Sequence, residues 1–167
     1  MLNRILILYS LIFLLSCSKE ENGGNKRKPQ LFEQLSVQQT RVDFSNNLKE
    51  TLRNNILSYE YFYNGGGVAV GDINNDGLPD LFFTGNQVQD RLYLNKGNFE
   101  FEDITESAGL NERLDTWSTG VTMVDINNDG FLDIYVSKSG KLRPTSRENK
   151  LYINQGDLTF IEEATEY

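Results

Sequence analysis

The sequence predicts an all-β fold made of two four-stranded antiparallel units, preceded by a leader peptide and a polar tether. The first observation is an internal repeat that covers most of residues 65–167. The second is that each copy holds four short runs rich in Val, Ile, Phe and Tyr, separated by Asn, Asp and Gly. Four antiparallel strands are the unit of a β-propeller blade, so the two copies are predicted to form two blades of a partial propeller.

The repeat is visible as two motifs that recur in the same order. The run Gly67–Leu81 recurs as Gly120–Ile134 at an offset of 53 residues, and Leu92–Gly97 recurs as Leu151–Gly156 at an offset of 59 residues. The larger second offset places an insertion between the two motifs of the second copy, in a connection between strands. The predicted strands span 67–71, 80–84, 91–95 and 99–104 in the first copy, and 120–124, 133–137, 150–154 and 158–163 in the second.

The repeat divides the rest of the chain into segments with different predicted roles. A leader over 1–16 and a flexible tether over 17–30 precede an N-terminal strand or connector segment over 31–64, a first blade over 65–110 and a second blade over 111–167. Within the connector, residues 32–36 resemble the outer-strand run at 101–105, and residues 48–57 are a modest helical candidate. An outer strand placed before the first blade could close a ring of blades and remove an open edge.

Composition excludes several classes of function. The chain has 167 residues and a net charge of −8, whereas a protein that binds nucleic acid by default presents a basic face. It contains no histidine, which removes the commonest general base and metal ligand. The single cysteine, Cys17, excludes an intrachain disulfide.

The first seventeen residues predict a lipoprotein leader. Arg4 precedes an apolar run from Ile5 to Leu15, which at about 1.5 Å rise per residue is roughly half as long as a bilayer core is thick. This length is typical of a signal peptide and too short for a membrane span. The run ends in Leu-Leu-Ser-Cys, which resembles a lipobox cleaved before a lipid-bearing Cys17, although a plain secretory signal with an incidental cysteine is the alternative. The predicted location is the outer membrane. A position at the cell surface is preferred, and a position facing the periplasm is the second choice.

Two acidic loops carry the predicted chemistry. Each reads Asp-Ile-Asn-Asn-Asp-Gly-x-x-Asp, with oxygen-bearing side chains at positions 1, 3, 5 and 9, glycine at position 6 and a backbone carbonyl available at position 7. Calcium prefers six to eight hard oxygen ligands, and glycine permits the sharp turn. About two calcium sites are therefore predicted. Their ligands are Asp72, Asn74, Asp76, Leu78 and Asp80 in loop 1, and Asp125, Asn127, Asp129, Phe131 and Asp133 in loop 2.

Two other interpretations of these loops were weighed. An EF-hand requires a carboxylate at position 12, where this chain has Phe83 and Val136, and it requires flanking helices. Asn-Asp-Gly is also good turn chemistry without a metal. Three aspartates that converge on one turn repel one another unless a cation is present, and the pattern occurs twice. Calcium is favoured over magnesium, which is reluctant to enter cages made only of protein ligands.

The repeated motifs resemble FG-GAP/VCBS repeats of the integrin-α type. The DINNDG loops, the preceding Gly-Val-x-Val/Met and the following Leu-Tyr-x-Asn-x-Gly carry the resemblance. The run from Tyr61 to Gly109, and then Trp117–Gly120, is similar to bacterial relatives of cartilage acidic proteins. The resemblance implies a seven-bladed propeller outside the cell, with structural calcium in the blade loops. Such proteins often carry a C-terminal ASPIC/UnbV domain, whereas this sequence ends at Tyr167, after the second blade, which suggests a truncated chain.

The predicted function is a binding, adhesion or structural module, with no catalytic residues and no nucleic-acid partner. The alternative is a fragment of a larger calcium-dependent enzyme or uptake protein that acts on glycans. The predicted partners are the membrane through Cys17, a protein or glycan ligand, and a further copy of the chain at open blade edges. The basic inserted loop 138–150 is the candidate contact, and Trp117 is expected to pack between blades more readily than to stack on a sugar.

Overall fold

The computed structural model describes residues 30–111, 117–140 and 146–167. Residues 35–167 form one compact unit, and residues 30–34 fall into a separate one. Apart from one four-residue helix, the regular secondary structure of the described part is all β, as predicted. Its elements are α1 (Val37–Thr40), β1 (Val68–Gly71), β2 (Asp80–Phe83), β3 (Arg91–Asn95), β4 (Phe101–Asp103), β5 (Ser118–Val124), β6 (Asp133–Lys138), β7 (Lys150–Asn154) and β8 (Phe160–Glu162).

The strands form two four-stranded antiparallel sheets, each in chain order. Blade 1 contains β1 to β4 and blade 2 contains β5 to β8. In blade 1 Gly71 pairs with Asp80, and in blade 2 Val124 pairs with Asp133. Each acidic loop is therefore closed at its base by the last pair of the first two strands. The two-blade prediction is confirmed.

The observed strands lie within a few residues of the predicted ones. The outer strands β4 and β8 are shorter than predicted by three residues each. β5 begins two residues earlier than predicted, at Ser118, and a register shift between Ser118 and Gly120 accommodates the glycine. The turn that joins β3 to β4 has left-handed backbone at Gly97, Asn98 and Phe99, with φ of 86°, 52° and 59°. Glycine adopts this conformation at low cost, which explains why the glycine of the Asn-x-Gly motif recurs in both copies, as Gly97 and as Gly156 with φ of 75°.

The main core lies between the facing surfaces of the two sheets. Gly67, directly before β1, lies so close to β5 that a Cβ atom there would be 3.1 Å from the backbone of Gly120 and Val121. Glycine at this position therefore lets the first strands of the two blades approach each other. The buried apolar core consists of Ala69, Ile73, Phe82, Leu92, Leu94, Ile104, Ala108 and Leu110 from blade 1, and Ile134, Val136, Tyr152 and Phe160 from blade 2.

Residues 41–64, here called the N-terminal connector, pack on blade 1. Phe44 stacks on Phe83 with ring centroids 5.1 Å apart, and the Tyr93 hydroxyl donates to Asp43 over 2.9 Å. Burial, and then the Asp43 carboxylate, raises the pKa of the Tyr93 phenol to about 12, so the hydroxyl stays a donor through the alkaline range. The connector thus contacts side chains of β2 and β3 in blade 1.

Two expectations for the segment 31–64 are wrong. No strand forms at residues 32–36, where Ser36 instead caps the short helix α1 in a reciprocal capping box with Gln39. No helix forms at residues 48–57. The side chains of Thr51 and Asn55 accept local backbone N–H groups, including that of Leu57 at 2.9 Å, and such bonds compete with helical ones.

The predicted leader, Cys17 and the tether up to residue 29 lie outside the described residues. Within the described ranges, the structure has no helix of the length and apolar character needed to span a membrane.

Candidate metal centre

The two acidic loops occupy the same position in each blade and have the same backbone conformation. Loop 1 joins β1 to β2, and loop 2 joins β5 to β6. Position 4 is left-handed in both, with φ of 60° at Asn75 and at Asn128. Position 6 is also left-handed, with φ of 84° at Gly77 and 92° at Gly130. The two loops therefore repeat the same backbone conformation as well as the same sequence. The positive φ at position 6 explains why both loops have glycine there.

The position-1 carboxylate organises the tip of each loop. Asp72 accepts the backbone N–H groups of Asp76 at 3.2 Å and Gly77 at 2.8 Å. Asp125 accepts the corresponding groups of Asp129 and Gly130, both at 3.0 Å. These bonds curl the loop around its first aspartate and bring the other polar side chains to the same side of the turn.

Positions 3, 5 and 7 interact within the same turn. The Asn74 amide donates to Asp76 over 3.0 Å, and Asp76 accepts the N–H of Leu78 at 2.8 Å. In loop 2, Asn127 donates to Asp129 over 2.8 Å, and Asp129 accepts the N–H of Phe131 at 2.8 Å. The Phe131 ring lies over the turn at Gly156, where an added Cβ would be 3.0 Å from it. The side chain at position 7 thus packs on the β7–β8 turn and leaves its backbone in the loop.

The position-9 aspartates are the most buried members of the predicted set. Asp80 and Asp133 are both 0% exposed. Asp80 accepts the N–H of Ile73 at 2.9 Å and that of Asn95 at 2.8 Å. Asp133 makes the same two bonds in blade 2, to Ile126 at 2.9 Å and Asn154 at 2.8 Å. Each carboxylate therefore fastens its loop to the third strand of its own blade.

The electrostatics of loop 1 are unfavourable to a charged carboxylate at position 9. Burial raises the pKa of Asp80, and the negative charges of Asp76 and Asp72 raise it further, while the N–H groups of Asn95 and Ile73 oppose the rise. A nearby cation would act in the opposite direction, since an opposite charge favours the ionised form.

The donor set fits a hard cation, although the carboxylates are also engaged with the protein. Among residues 30–111, 117–140 and 146–167, no three Asp, Glu, His or Cys side chains are gathered into a cluster that could hold a metal ion. The loop carboxylates accept backbone N–H groups instead. A carboxylate has about four lone-pair sites, so these bonds leave acceptor capacity for an ion. Calcium binding therefore stays a prediction, and the ligand types are those that calcium prefers.

Sequence analysis overlooked a role for the asparagines that end the third strands. Asn95 and Asn154 are the asparagines of the Leu-Tyr-x-Asn-x-Gly motif, which was used there only to define the repeat and its resemblance. Their backbone N–H groups hold the position-9 aspartates, and the amide of Asn154 also donates to the carbonyl of Ile73 over 2.8 Å. The recurrence of this motif after both loops was the available signal.

The other candidate contacts differ from the predictions. In the inserted loop, Lys138 is buried and Lys150 forms an ion pair with Glu162 at 3.2 Å, so the loop is not a uniformly exposed basic patch. Lys141 and Arg143 lie outside the described residues. Trp117 is 5% exposed, and its ring packs against Tyr59 and Phe62 of the connector, with centroids 5.5 and 5.4 Å away. It therefore joins the connector to the blades and offers no face to a sugar.

The fold and the loops define a class of protein, a β-repeat protein whose unit is a four-stranded blade with an acidic loop between its first two strands. Residues 72–136 match the family model for the FG-GAP-like repeat, so this part of the chain is similar to FG-GAP repeat proteins. The matched stretch contains both acidic loops. The chain is also similar to cartilage acidic protein 1 of Xenopus tropicalis, with 38% identity over 73 residues. That alignment covers 43% of this chain and 11% of the relative's length.

Proposed function

We propose that the chain is a calcium-stabilised repeat module that serves in binding or structure rather than in catalysis. The FG-GAP repeat family supports the coarser part of this statement, a repeat-based binding or structural module. The observation that carries the calcium assignment is the geometric identity of the two loops. Both place the same four oxygen-bearing side chains around the same left-handed turn, and both end in a fully buried aspartate.

In this proposal each loop supplies the side-chain oxygens of positions 1, 3, 5 and 9 and the backbone carbonyl of position 7. Bound calcium would supply the positive charge that offsets three aspartates at one turn. The protein's own contribution is to hold those aspartates in place beforehand. The N–H groups of the loop orient Asp72 and Asp125, and the third strand of each blade orients Asp80 and Asp133.

Thermal unfolding of the full chain with calcium and with a chelator tests the proposal. Trp117 is the only tryptophan and lies where the connector meets the blades, so its fluorescence reports the transition. Extracellular modules bind calcium with Kd of about 10⁻⁴–10⁻³ M, so 10 mM calcium would stabilise the fold by about 1.4–2.7 kcal/mol per site. We expect the midpoint to rise by roughly 10 °C or more.

The Asp80→Asn, Asp133→Asn double variant should lose this response. Asparagine keeps the size of each side chain but removes a charged ligand from both loops. Asp157→Asn is the matched control, since Asp157 is an exposed aspartate in the β7–β8 turn, and it should respond to calcium as the unmodified chain does. A midpoint that calcium does not change in the unmodified chain would refute the metal assignment.

We also propose that Cys17 anchors the mature chain to a membrane through a covalent lipid. The support is the position of the only cysteine, directly after an apolar run of signal-peptide length. When the full-length chain is made in a Gram-negative host, we expect an acylated N-terminal cysteine by mass spectrometry and recovery in the membrane fraction. Cys17→Ser should abolish both, whereas the neighbouring Ser18→Ala should change neither. An unmodified Cys17 in a chain recovered in the soluble fraction would contradict the proposed lipid anchor.

A further inference from the structure

The tips of the two acidic loops are joined by a hydrogen bond between the blades. The side-chain amide of Asn75 in loop 1 donates to the backbone carbonyl of Gly130 in loop 2 over 2.9 Å. Asn75 lies between two predicted ligands of loop 1, Asn74 and Asp76. Gly130 directly follows a predicted ligand of loop 2, and its N–H donates to Asp125. A change in the conformation of either tip therefore acts on the other.

A second connection joins the bases of the loops through the core. Asp80 accepts the backbone N–H of Ile73 at 2.9 Å. The backbone carbonyl of Ile73 accepts the Asn154 side-chain amide at 2.8 Å. The backbone N–H of Asn154 donates to Asp133 over 2.8 Å. All four residues are at most 2% exposed. Hydrogen bonds in such a low-dielectric setting polarise one another, so this path links the position-9 carboxylates of the two loops.

Each connecting asparagine has an equivalent in the other copy that does not cross between the blades. Asn95, the counterpart of Asn154, holds Asp80 with its N–H and donates its amide to Pro79 over 2.8 Å, within blade 1. Asn128, the counterpart of Asn75, has the same φ of 60° but makes no side-chain hydrogen bond to a residue in the described part of the chain. The connections are thus specific to Asn75 and Asn154.

We propose that the two loops bind calcium as a coupled pair, with Asn75 and Asn154 as the positioning residues that transmit the coupling. This inference rests on the calcium binding proposed above. An ion in loop 2 would fix Asp133 and the carbonyl of Gly130, and through the two asparagines it would order loop 1 before its own ion arrives. Because loop 1 is already ordered, its ion does not have to offset the loss of conformational entropy, so it binds more tightly. The effect is reciprocal between the loops.

Native mass spectrometry of the full chain during a calcium titration tests the coupling, because it counts ions per molecule. Coupling constants of this kind are typically about 5-fold or more, which depletes the singly loaded species. We expect Asn75→Gly and Asn154→Ala to increase the singly loaded fraction relative to the unmodified chain. Asn128→Gly is the matched control for Asn75→Gly and should leave the singly loaded fraction unchanged. Glycine suits the left-handed backbone at both exposed positions, so Asn75→Gly tests the proposal even if the buried Asn154→Ala variant fails to fold.

The outcomes separate the coupling from the calcium binding itself. If the unmodified chain binds two ions and the singly loaded fraction is the same in Asn75→Gly as in Asn128→Gly, the coupling is wrong and the calcium sites stand. If no form of the chain binds calcium at millimolar concentration, both the proposed function and the coupling that depends on it are wrong.

Discussion

Phe82→Ala should lower the free energy of unfolding by about 3–5 kcal/mol, a large part of the stability of a domain of this size. Phe82 is 1% exposed and belongs to the core that blade 1 shares with blade 2. It pairs with Ala69 on one side and Leu92 on the other, and both are also buried. Removing the ring leaves a cavity between the sheets. Urea unfolding followed by Trp117 fluorescence, at a fixed calcium concentration, measures the loss.

Phe99→Ala is the matched control for this substitution. Phe99 lies in the β3–β4 turn and is 68% exposed, so truncating it removes a ring of the same size from water. We expect a change within about 0.5 kcal/mol, which is usual for exposed positions. If Phe82→Ala cost no more than Phe99→Ala, the two blades would not share the core described here.

The strands and the acidic loops can be predicted from sequence because their determinants are local. The runs of Val, Ile, Phe and Tyr fall on the observed strands, and Asn-Asp-Gly fixes a left-handed turn at Gly77 and Gly130 wherever it occurs. Each pattern occurs twice, so both copies support the same strand and turn assignment. The candidate ligand side chains at positions 1, 3 and 5 therefore share one turn in each blade, and their binding of calcium stays a prediction.

The missed features depend on contacts between segments that are distant in sequence. No pattern near Asn154 indicates that its amide reaches Ile73, 81 residues earlier, because that contact exists only when blade 2 packs on blade 1. The connector is another case. Its helical expectation at 48–57 rested on composition, and the structure there is set by side-chain bonds of Thr51 and Asn55. Trp117 likewise acquires its partners, Tyr59 and Phe62, only through tertiary packing.

Asn86→Ala should lower the free energy of unfolding by about 2–4 kcal/mol, because one side chain joins three parts of the fold. Asn86 is 0% exposed and follows β2 of blade 1. Its amide donates to the carbonyl of Ser118 in blade 2 over 2.9 Å and to that of Gly65 over 3.2 Å. Its carbonyl accepts the amide of Asn46 in the connector at 2.7 Å. Alanine leaves the buried carbonyl of Ser118 and the half-buried groups of Gly65 and Asn46 without this partner, and a buried polar group left unpaired costs about 1–3 kcal/mol.

Two further variants separate the contributions of this side chain. Asn46→Ala removes only the connector's part of the network, at a half-buried position, so we expect a smaller loss of about 1 kcal/mol. Asn86→Asp keeps the shape and the acceptor but loses the two donors and buries a charge near Asp90. It should destabilise the protein at least as much as Asn86→Ala. Equal losses in Asn86→Ala and Asn46→Ala, measured by urea unfolding, would mean that the bonds to Ser118 and Gly65 contribute nothing. The junction between the blades would then depend on apolar packing alone.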